Sequence, residues 1–367
     1  MRVINIVDSV EQINYGIWHA VTANACLLAN KNIITELWYP EKPFNAIPDV
    51  VNVPLTSLSL TGLKQEMANR KLDPEEDIIV THGAWSYATR WGAGLKKQGF
   101  KWIYVPHGML EPWPLQQKRI KKALYLHLIE KRLANHADCI KAVSMPESVN
   151  LRQFFKPSLI QFIPNGVRYD DAPPDFQGRR KPLRYLFLSR LHHKKNLVAL
   201  ATAWLQSGLN NKPEVEFVIA GPDEGELDKL NTLLLQSSNM KYIGSIYDEK
   251  KDQLFKRSTF YVLPSFSEGL PTSLLEAMSF GLVPIITEGC NLPEVFSQQL
   301  GVKVNTDLNS IQAALEATSQ WDAQKIAETG SRARQFIKER FSLEAITNSQ
   351  IALFSKLNMA NSVNVIK

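Results

Sequence analysis

The stretch Ser265–Thr287, "SFSEGLPTSLLEAMSFGLVPIIT", decides the fold. Just before it, "TFYVLPS" (Thr259–Ser265) is a short continuous apolar run, the pattern of a strand buried on both faces. "FSEGLPT" has the chemistry of a turn. "SLLEAMSF" reads as a helix, and Gly281 fits the C′ position that ends one. "LVPIIT" is a second strand. Strand, loop, helix and strand in this order make a unit with two parallel strands. The loop then lies at the carboxyl end of a strand and the amino end of a helix, where open α/β sheets bind ligands. The backbone N–H groups of Leu270, Thr272 and Ser273 would be free at the helix start, and with the helix dipole they suit a phosphate. Pro271 supplies no donor but fixes the entry. Glu268 and Glu276 stand eight positions apart, one in the loop and one in the helix. They could face one ligand. Alternatively Ser273-x-x-Glu276 is a capping box and Glu268 an exposed loop carboxylate. The residues alone leave both readings open.

The same rhythm runs outward through the chain. "RVINIV", "TELWYP", "DIIVTH", "WIYVPHG", "CIKAVS" and "IQFIPNG" are candidate strands of the first half. "RYLFLSR", "EFVIAGP", "TFYVLPS", "LVPIIT" and "VKVN" are those of the second. Amphipathic segments such as 116–135, 196–207 and 310–317 fall between them. This alternation predicts doubly wound parallel sheets. The Pro-, Gly- and charge-rich stretch "GVRYDDAPPDFQGRRKP", Gly166–Pro182, reads as a linker. The expected organisation is a first Rossmann-like domain over 1–166, a linker over 167–182 and a second Rossmann-like domain over 183–344.

Bulk properties narrow the classes. A chain of 367 residues favours two domains of ordinary size. No apolar run approaches the roughly 20 residues that span a bilayer. "MRVINIVDSVEQ" places an aspartate where a signal peptide needs an unbroken apolar core, so it reads as a buried first strand. Cys26, Cys139 and Cys290 fit neither a disulfide framework nor a zinc site, and point to a reducing, cytoplasmic compartment. The net charge of +6 suits a nucleotide or an anionic lipid surface. It is also all that nucleic-acid binding has in its favour, and no nucleic-acid partner is expected.

Other motifs each have a functional and a local reading. In "FLSRLHHKKNL", Arg190 and Lys195 follow a strand, where cations suit a diphosphate; a solvated basic turn is the alternative. His192 and His193 are adjacent and lack the spacing of a helical metal pair, so no metal is expected. His107 in "VPHGMLEPW" sits at a strand's carboxyl end, and His82 in "THGAWS" is its rival for the same role. Gly16 opens a helix after the first strand, where a missing side chain would allow close approach to a ligand. In Lys118–Arg132, six of fifteen residues are Lys or Arg, interleaved with apolar ones. That pattern suits a membrane surface or a soluble helix with one solvated face. No G-x-G-x-x-G follows a candidate strand, which disfavours a dinucleotide-dependent dehydrogenase.

Taken together, "SRLHHKK", "IAGP" and "PSFSEGLPTSLLEAMSFGLVPI" resemble the retaining glycosyltransferases of family 4, which have the GT-B fold, with Glu268 and Glu276 as the E-x7-E element. "PHGML", Ala142–Ser144 and Ile163–Val167 extend the resemblance across the first half. The sequence departs at Asn196, where the family commonly has Gly, and in "SVEQINYGIWHAV", where of a glycine pair only Gly16 remains. The resemblance implies two Rossmann-like domains facing a cleft and a UDP- or GDP-linked sugar as donor. It also implies a saccharide or lipid-linked acceptor, neither cofactor nor metal, and a place in bacterial surface polysaccharide or lipopolysaccharide synthesis. Arg190 and Lys195 would neutralise the diphosphate. Gly269, Leu270, Pro271 and Thr272 would line the phosphate and donor sugar, and Gly16 would lie by the donor. Glu268 would hold sugar hydroxyls and Glu276 the ribose, with His107 near the transferred sugar. A closing helix over about 345–367 would return to the first domain, and 118–132 would touch the inner face of the membrane. A nucleotide-sugar epimerase and a non-catalytic nucleotide-sugar-binding subunit are the alternatives.

Overall fold

A computed structural model of the chain describes residues 1–11, 15–42, 44–85, 87–116, 119–172 and 182–362. The chain forms two compact units, Met1–Gly166 with Leu343–Lys367, and Val167–Ser342. Each is built on a parallel sheet, as the alternation of strands and helices predicts. In the first unit the strands are β1 Arg2–Ile6, β2 Ile34–Pro40, β3 Val51–Leu55, β4 Ile78–His82, β5 Lys101–Val105, β6 Cys139–Ala142 and β7 Ile160–Phe162. Their order is β3-β2-β1-β4-β5-β6-β7. The second unit has β8 Leu183–Leu188, β9 Val215–Ala220, β10 Met240–Tyr242, β11 Phe260–Leu263, β12 Val283–Ile286 and β13 Val302–Lys303. Their order is β10-β9-β8-β11-β12-β13.

In both sheets the strand order reverses once, between β1 and β4 and between β8 and β11. Loops leaving the carboxyl ends of these four strands flank a topological switch point, the usual ligand position of such sheets. His82 ends β4. Arg190 and Lys195 follow β8, and Glu268 follows β11. The motifs singled out in the sequence thus fall at the places where this topology binds ligands.

Two expectations need correction. Beyond the candidate strands the sheets contain β3 and β10, both at sheet edges. β3 includes Pro54, which an edge strand tolerates, and β10 has three residues. The segment 116–135 is not one amphipathic helix. It is resolved as Pro112–Gln116, Arg119–Tyr125, a π-helical turn Leu126–Glu130 and Lys131–Ala134, with Gln117 and Lys118 outside the described residues. Within the π turn Glu130 is fully buried and accepts hydrogen bonds from the Tyr104 hydroxyl at 2.5 Å and from Thr89 at 3.3 Å. The closing helix runs from Leu343 to Ser362, and residues 363–367 of the expected segment lie outside the described residues. It is tied to the first unit where Asn24 Nδ2 donates to Thr347 Oγ1 and Gln350 Oε1 at 2.8 and 2.9 Å.

Most of the linker, 173–181, lies outside the described residues. Its start is held to the second unit. Val167 N donates to Phe341 O at 2.8 Å, and Lys338 pairs with Asp171 at 2.6 Å.

Packing in the first unit leaves no room at one glycine. Gly92, on the helix Ala88–Lys96, faces the ring of Trp102 on β5, and a Cβ there would lie 1.8 Å from Trp102 Cε2. The ring is held in place, because its Nε1 donates to Thr81 Oγ1 at 2.8 Å. Gly92→Ala is therefore expected to destabilise the protein by about 1–3 kcal/mol, the usual effect of overpacking. A lower urea midpoint would show it; an unchanged midpoint would mean that Trp102 turns aside freely.

Candidate active site

The loop after β11 is organised around Glu268. This side chain is buried, and so is Lys195, 73 positions earlier. Lys195 Nζ donates to both carboxylate oxygens, at 2.5 and 2.7 Å. Ser265 Oγ adds a hydrogen bond to Oε1 at 2.6 Å. Burial by itself pushes the Glu268 carboxyl up. Lys195, then Lys194 and the two side-chain hydrogen bonds outweigh it and hold the group below its ordinary value. Neither bland reading survives: Glu268 is not an exposed loop carboxylate, and Lys195 is not a solvated turn residue.

The backbone of this loop is pinned as firmly. Glu268 N donates to Gly289 O at 2.7 Å, and Asn291 Nδ2 donates to the carbonyls of Glu268 and Gly269 at 2.7 and 3.1 Å. Gly289 admits no side chain, since a Cβ would lie 2.6 Å from Phe266 O. Phe266 N donates to Lys194 O at 2.9 Å, and Ser265 Oγ lies 3.0 Å from the same carbonyl, which joins the β8 and β11 loops. Asn196 takes a left-handed backbone, φ 60°, and its Nδ2 donates to Thr306 O at 2.8 Å. Asn is the non-glycine residue that best tolerates this conformation, which accounts for its presence where the family commonly has Gly.

The helix Thr272–Ser279 starts without a side-chain cap, with Pro271 in the N-cap position. The N–H groups of Thr272 and Ser273 have no partner within the helix, whereas Leu274 N donates to Pro271 O at 3.1 Å. The capping-box reading of Glu276 fails here. The Ser273 hydroxyl bonds the Tyr261 hydroxyl at 2.7 Å, and Glu276 accepts from Lys251 Nζ at 2.7 Å. Burial raises the Glu276 carboxyl above its ordinary value in spite of Lys251. Each glutamate is therefore held by its own lysine. Arg190, 41% exposed at its side chain, donates from Nη1 to Glu224 Oε1 at 2.8 Å. Gly269 to Pro271 form the bend between Glu268 and the helix, which Thr272 opens.

In the first unit the two rival histidines are in contact. His82 Nδ1 and His107 Nε2 are 2.9 Å apart, and His82 Nε2 lies 3.1 Å from Asn5 Oδ1. His107 has φ 54° and is followed by Gly108 at φ 73°. This turn is anchored by Glu147, whose carboxylate accepts from Gly108 N at 2.6 Å and Val143 N at 2.7 Å. Burial foremost drives Glu147 up to about 7. Burial and then Lys141 push His107 down to about 3. A cavity of about 40 Å³ lies within this unit, lined among others by Asn5, His82, His107, Lys141, Asn165 and Gln350. Gly16 lies in the first turn of the helix Tyr15–Thr22. Among the described residues no three His, Cys, Asp or Glu side chains gather as a metal site requires.

Sequence reading missed Ser265, Gly289, Asn291, Glu224 and Lys251. Ser265 lay inside the quoted motif and carried a signal in its spacing to Glu268. The others act from elements remote in sequence and carried none.

Comparison with known proteins agrees with the fold. Residues 171–338 match the family model "Glycosyl transferases group 1", and 36–171 match "Glycosyltransferase Family 4". Among curated relatives, the chain is 28% identical over 169 residues to the phosphatidylinositol N-acetylglucosaminyltransferase gpi3 subunit of Schizosaccharomyces pombe, covering 45% of this chain and 37% of that one. It is 26% identical over 167 residues to the O-antigen chain mannosyltransferase B of Escherichia coli, 44% of each chain. It is 30% identical over 190 residues to the GDP-mannose:cellobiosyl-diphosphopolyprenol alpha-mannosyltransferase of Xanthomonas campestris, 48% of this chain and 49% of that one. The match thus spans half or less of the length of these relatives. Among solved structures, sucrose-phosphate synthase from Thermosynechococcus elongatus superposes with TM-score 0.81 at 18% identity, over 98% of this chain and all of that one, 100%. Anabaena HepE in complex with UDP and glucose superposes with TM-score 0.72 at 18% identity, over 97% and 100%. The fold is GT-B, and the two family matches support a glycosyltransferase of the family 4 type.

The Lys195–Glu268 pair is open to a direct test. In the native protein the lowered Glu268 pKa contributes stability above the unfolded-state value, and that contribution is lost as pH falls. Lys195→Met removes the largest group opposing burial and leaves only Lys194 and the Ser265 hydrogen bond against it, so the folded pKa is expected to rise above the unfolded one, the sign inverts and stability is lost as pH rises. The variant is expected to be less stable by about 3 kcal/mol at neutral pH. The gap to wild type should widen between pH 5 and pH 7.5 in urea denaturation, and Glu268→Gln in the same chain should narrow it. A gap that does not change with pH would remove the charge of Glu268 from the account.

Proposed function

We propose that the chain transfers a sugar from a UDP- or GDP-linked donor to a saccharide or lipid-linked acceptor, with retention of anomeric configuration. The observation that carries this reading is the loop after β11. It combines a buried, lysine-held Glu268, an uncapped helix start and Glu276 one turn further on. A carboxylate fixed in this way can accept hydrogen bonds from sugar hydroxyls. The helix start suits phosphate, and Glu276 is placed to accept from a ribose. Arg190 and Lys195 would oppose the charge that develops on the leaving diphosphate, with Glu224 holding Arg190 in position. The anomeric C–O bond to the diphosphate breaks while a bond to the acceptor oxygen forms on the same face. The acceptor's proton passes to the leaving phosphate oxygen. Because cations and helix N–H groups stabilise that oxygen, the reaction is proposed to need neither metal nor cofactor.

The relatives indicate which substrates to try first. Two of them are mannosyltransferases, one named for GDP-mannose, and two have names that place the acceptor on phosphatidylinositol or diphosphopolyprenol. GDP-mannose and UDP-sugars should be incubated with and without a diphosphopolyprenol-linked saccharide. The expected result is nucleoside diphosphate and an α-linked product only when acceptor is present, unchanged by EDTA. Nucleotide release without acceptor would favour an epimerase. Activity lost to EDTA and restored by magnesium or manganese would refute the charge argument. Glu276→Ala is expected to weaken nucleoside diphosphate binding about tenfold, as loss of a charged hydrogen bond should, whereas Glu268→Ala should lower turnover first. Unchanged nucleotide affinity in Glu276→Ala would make that residue structural.

A membrane-borne acceptor also suits the surface at 119–132, on the inner face of a membrane. Among the described residues no helix is long and apolar enough to cross a bilayer. Ile120, Leu124 and Leu128 are 79%, 57% and 56% exposed, next to exposed Arg119 and Lys121. Lys122 is turned inward, its Nζ donating to Pro114 O at 2.6 Å and lying over the Trp85 ring. Lys118 is outside the described residues. Each basic group near an anionic surface contributes on the order of 1 kcal/mol. The protein should therefore co-sediment with anionic liposomes at low salt and less at high salt. Arg119→Ser, Lys121→Ser and Arg132→Ser combined should reduce this. Equal sedimentation of both proteins, or indifference to lipid charge, would leave the surface merely solvated.

A further inference from the structure

The contact between His82 and His107 has a direction that the surrounding hydrogen bonds determine. Asn5 Nδ2 faces two backbone carbonyls, Val3 O and Glu36 O, each at 3.3 Å, so Oδ1 is the atom presented to His82. An amide oxygen only accepts, so His82 Nε2 must carry its proton. His82 is buried, and burial, then His107 and Lys141, keep it neutral. A neutral imidazole with a proton on Nε2 has a bare Nδ1. His82 Nδ1 must then accept from His107 Nε2, 2.9 Å away. His107 is neutral as well, so the proton on its Nε2 leaves its own Nδ1 bare. The charged and titratable groups beside the pair are Lys141 on β6 and Glu147 on the helix Met145–Leu151; Glu147 fixes the Gly108 amide, and so the His107 backbone.

We propose that Asn5 and His82 are positioning residues that set the tautomer of His107, so that His107 presents Nδ1 as a hydrogen-bond acceptor to a hydroxyl of the transferred sugar. The hydroxyl rests on the function proposed above; the tautomer does not. An acceptor-only nitrogen would welcome a neutral hydroxyl. It would neither protonate the leaving group nor pair with a phosphate. The unusual backbone of His107 fits such a role, since a left-handed conformation at a non-glycine residue is strained and persists where the surroundings enforce it.

The experiment is a long-range proton–nitrogen correlation spectrum of the full-length protein with ¹⁵N-labelled histidine, at neutral pH. Wild type should show His82 and His107 both neutral, each with the proton on Nε2. Asn5→Asp should reverse the chain. A carboxylate at this position favours the imidazolium of His82, which then donates from Nδ1 to His107 Nε2. His107 must move its proton to Nδ1. Turnover of a nucleotide sugar should fall in that variant with less effect on nucleoside diphosphate affinity. A wild-type His107 that is protonated on Nδ1, or doubly protonated, overturns the proposal whatever the enzyme's activity. So does a folded Asn5→Asp protein in which His107 keeps its proton on Nε2. Correct tautomers with no sugar transfer under any condition would instead count against the proposed function alone.

Discussion

The second unit depends on one buried ion pair. Lys195 comes from the loop after β8 and Glu268 from the loop after β11, neighbouring strands on either side of the switch point. Removing either partner leaves a charge without solvent, a penalty of several kcal/mol, so the two loops cannot separate cheaply. With the pair in place the rest of the loop is constrained. Gly289 must lack a side chain, Asn291 must hold the turn, and the helix at Thr272 must start in one direction. The pair contributes geometry more than net stability, because desolvating two charges offsets most of their attraction.

The two units achieve similar fixation by different chemistry. In the second, carboxylates of the loop and helix after β11 are matched to lysines, Glu268 to Lys195 and Glu276 to Lys251. In the first, neutral hydrogen bonds run from Asn5 through His82 to His107, and a buried carboxylate, Glu147, holds backbone amides. A charged network would suit the departure of a diphosphate proposed above. A neutral one suits a place where hydroxyl groups must be oriented without competing for that charge.

How much of this was legible follows from where each signal resides. The fold class was readable because β8, β9, β11 and β12 are apolar runs bounded by Gly, Pro and polar residues, a local pattern. Edge strands β3 and β10 were missed because one neighbour and partial burial leave short, mixed sequences; β3 even carries Pro54. The loops of interest were located because topology puts function at strand ends. Their pairings were not legible. Lys195 looks like any lysine in a basic turn until its partner, 73 positions later, is known. His82 and His107 looked like rivals because sequence cannot show that β4 and β5 lie side by side. The π turn at Leu126–Glu130 was hidden for the same reason, since its inward residue is defined by Tyr104 on another strand.

The central claim is that the segment from Ser265 to Ser273 is held in a ligand-ready form before a nucleotide arrives. Amide hydrogen exchange of that segment, with and without a nucleoside diphosphate, tests it most directly. The account predicts slow exchange at the Phe266 and Glu268 amides in the free protein, because both are bonded to backbone carbonyls. It predicts faster exchange at Leu270, Thr272 and Ser273 that becomes slow when nucleotide is added. Fast exchange at Glu268 in the free protein, or a helix start that nucleotide leaves unprotected, would contradict it.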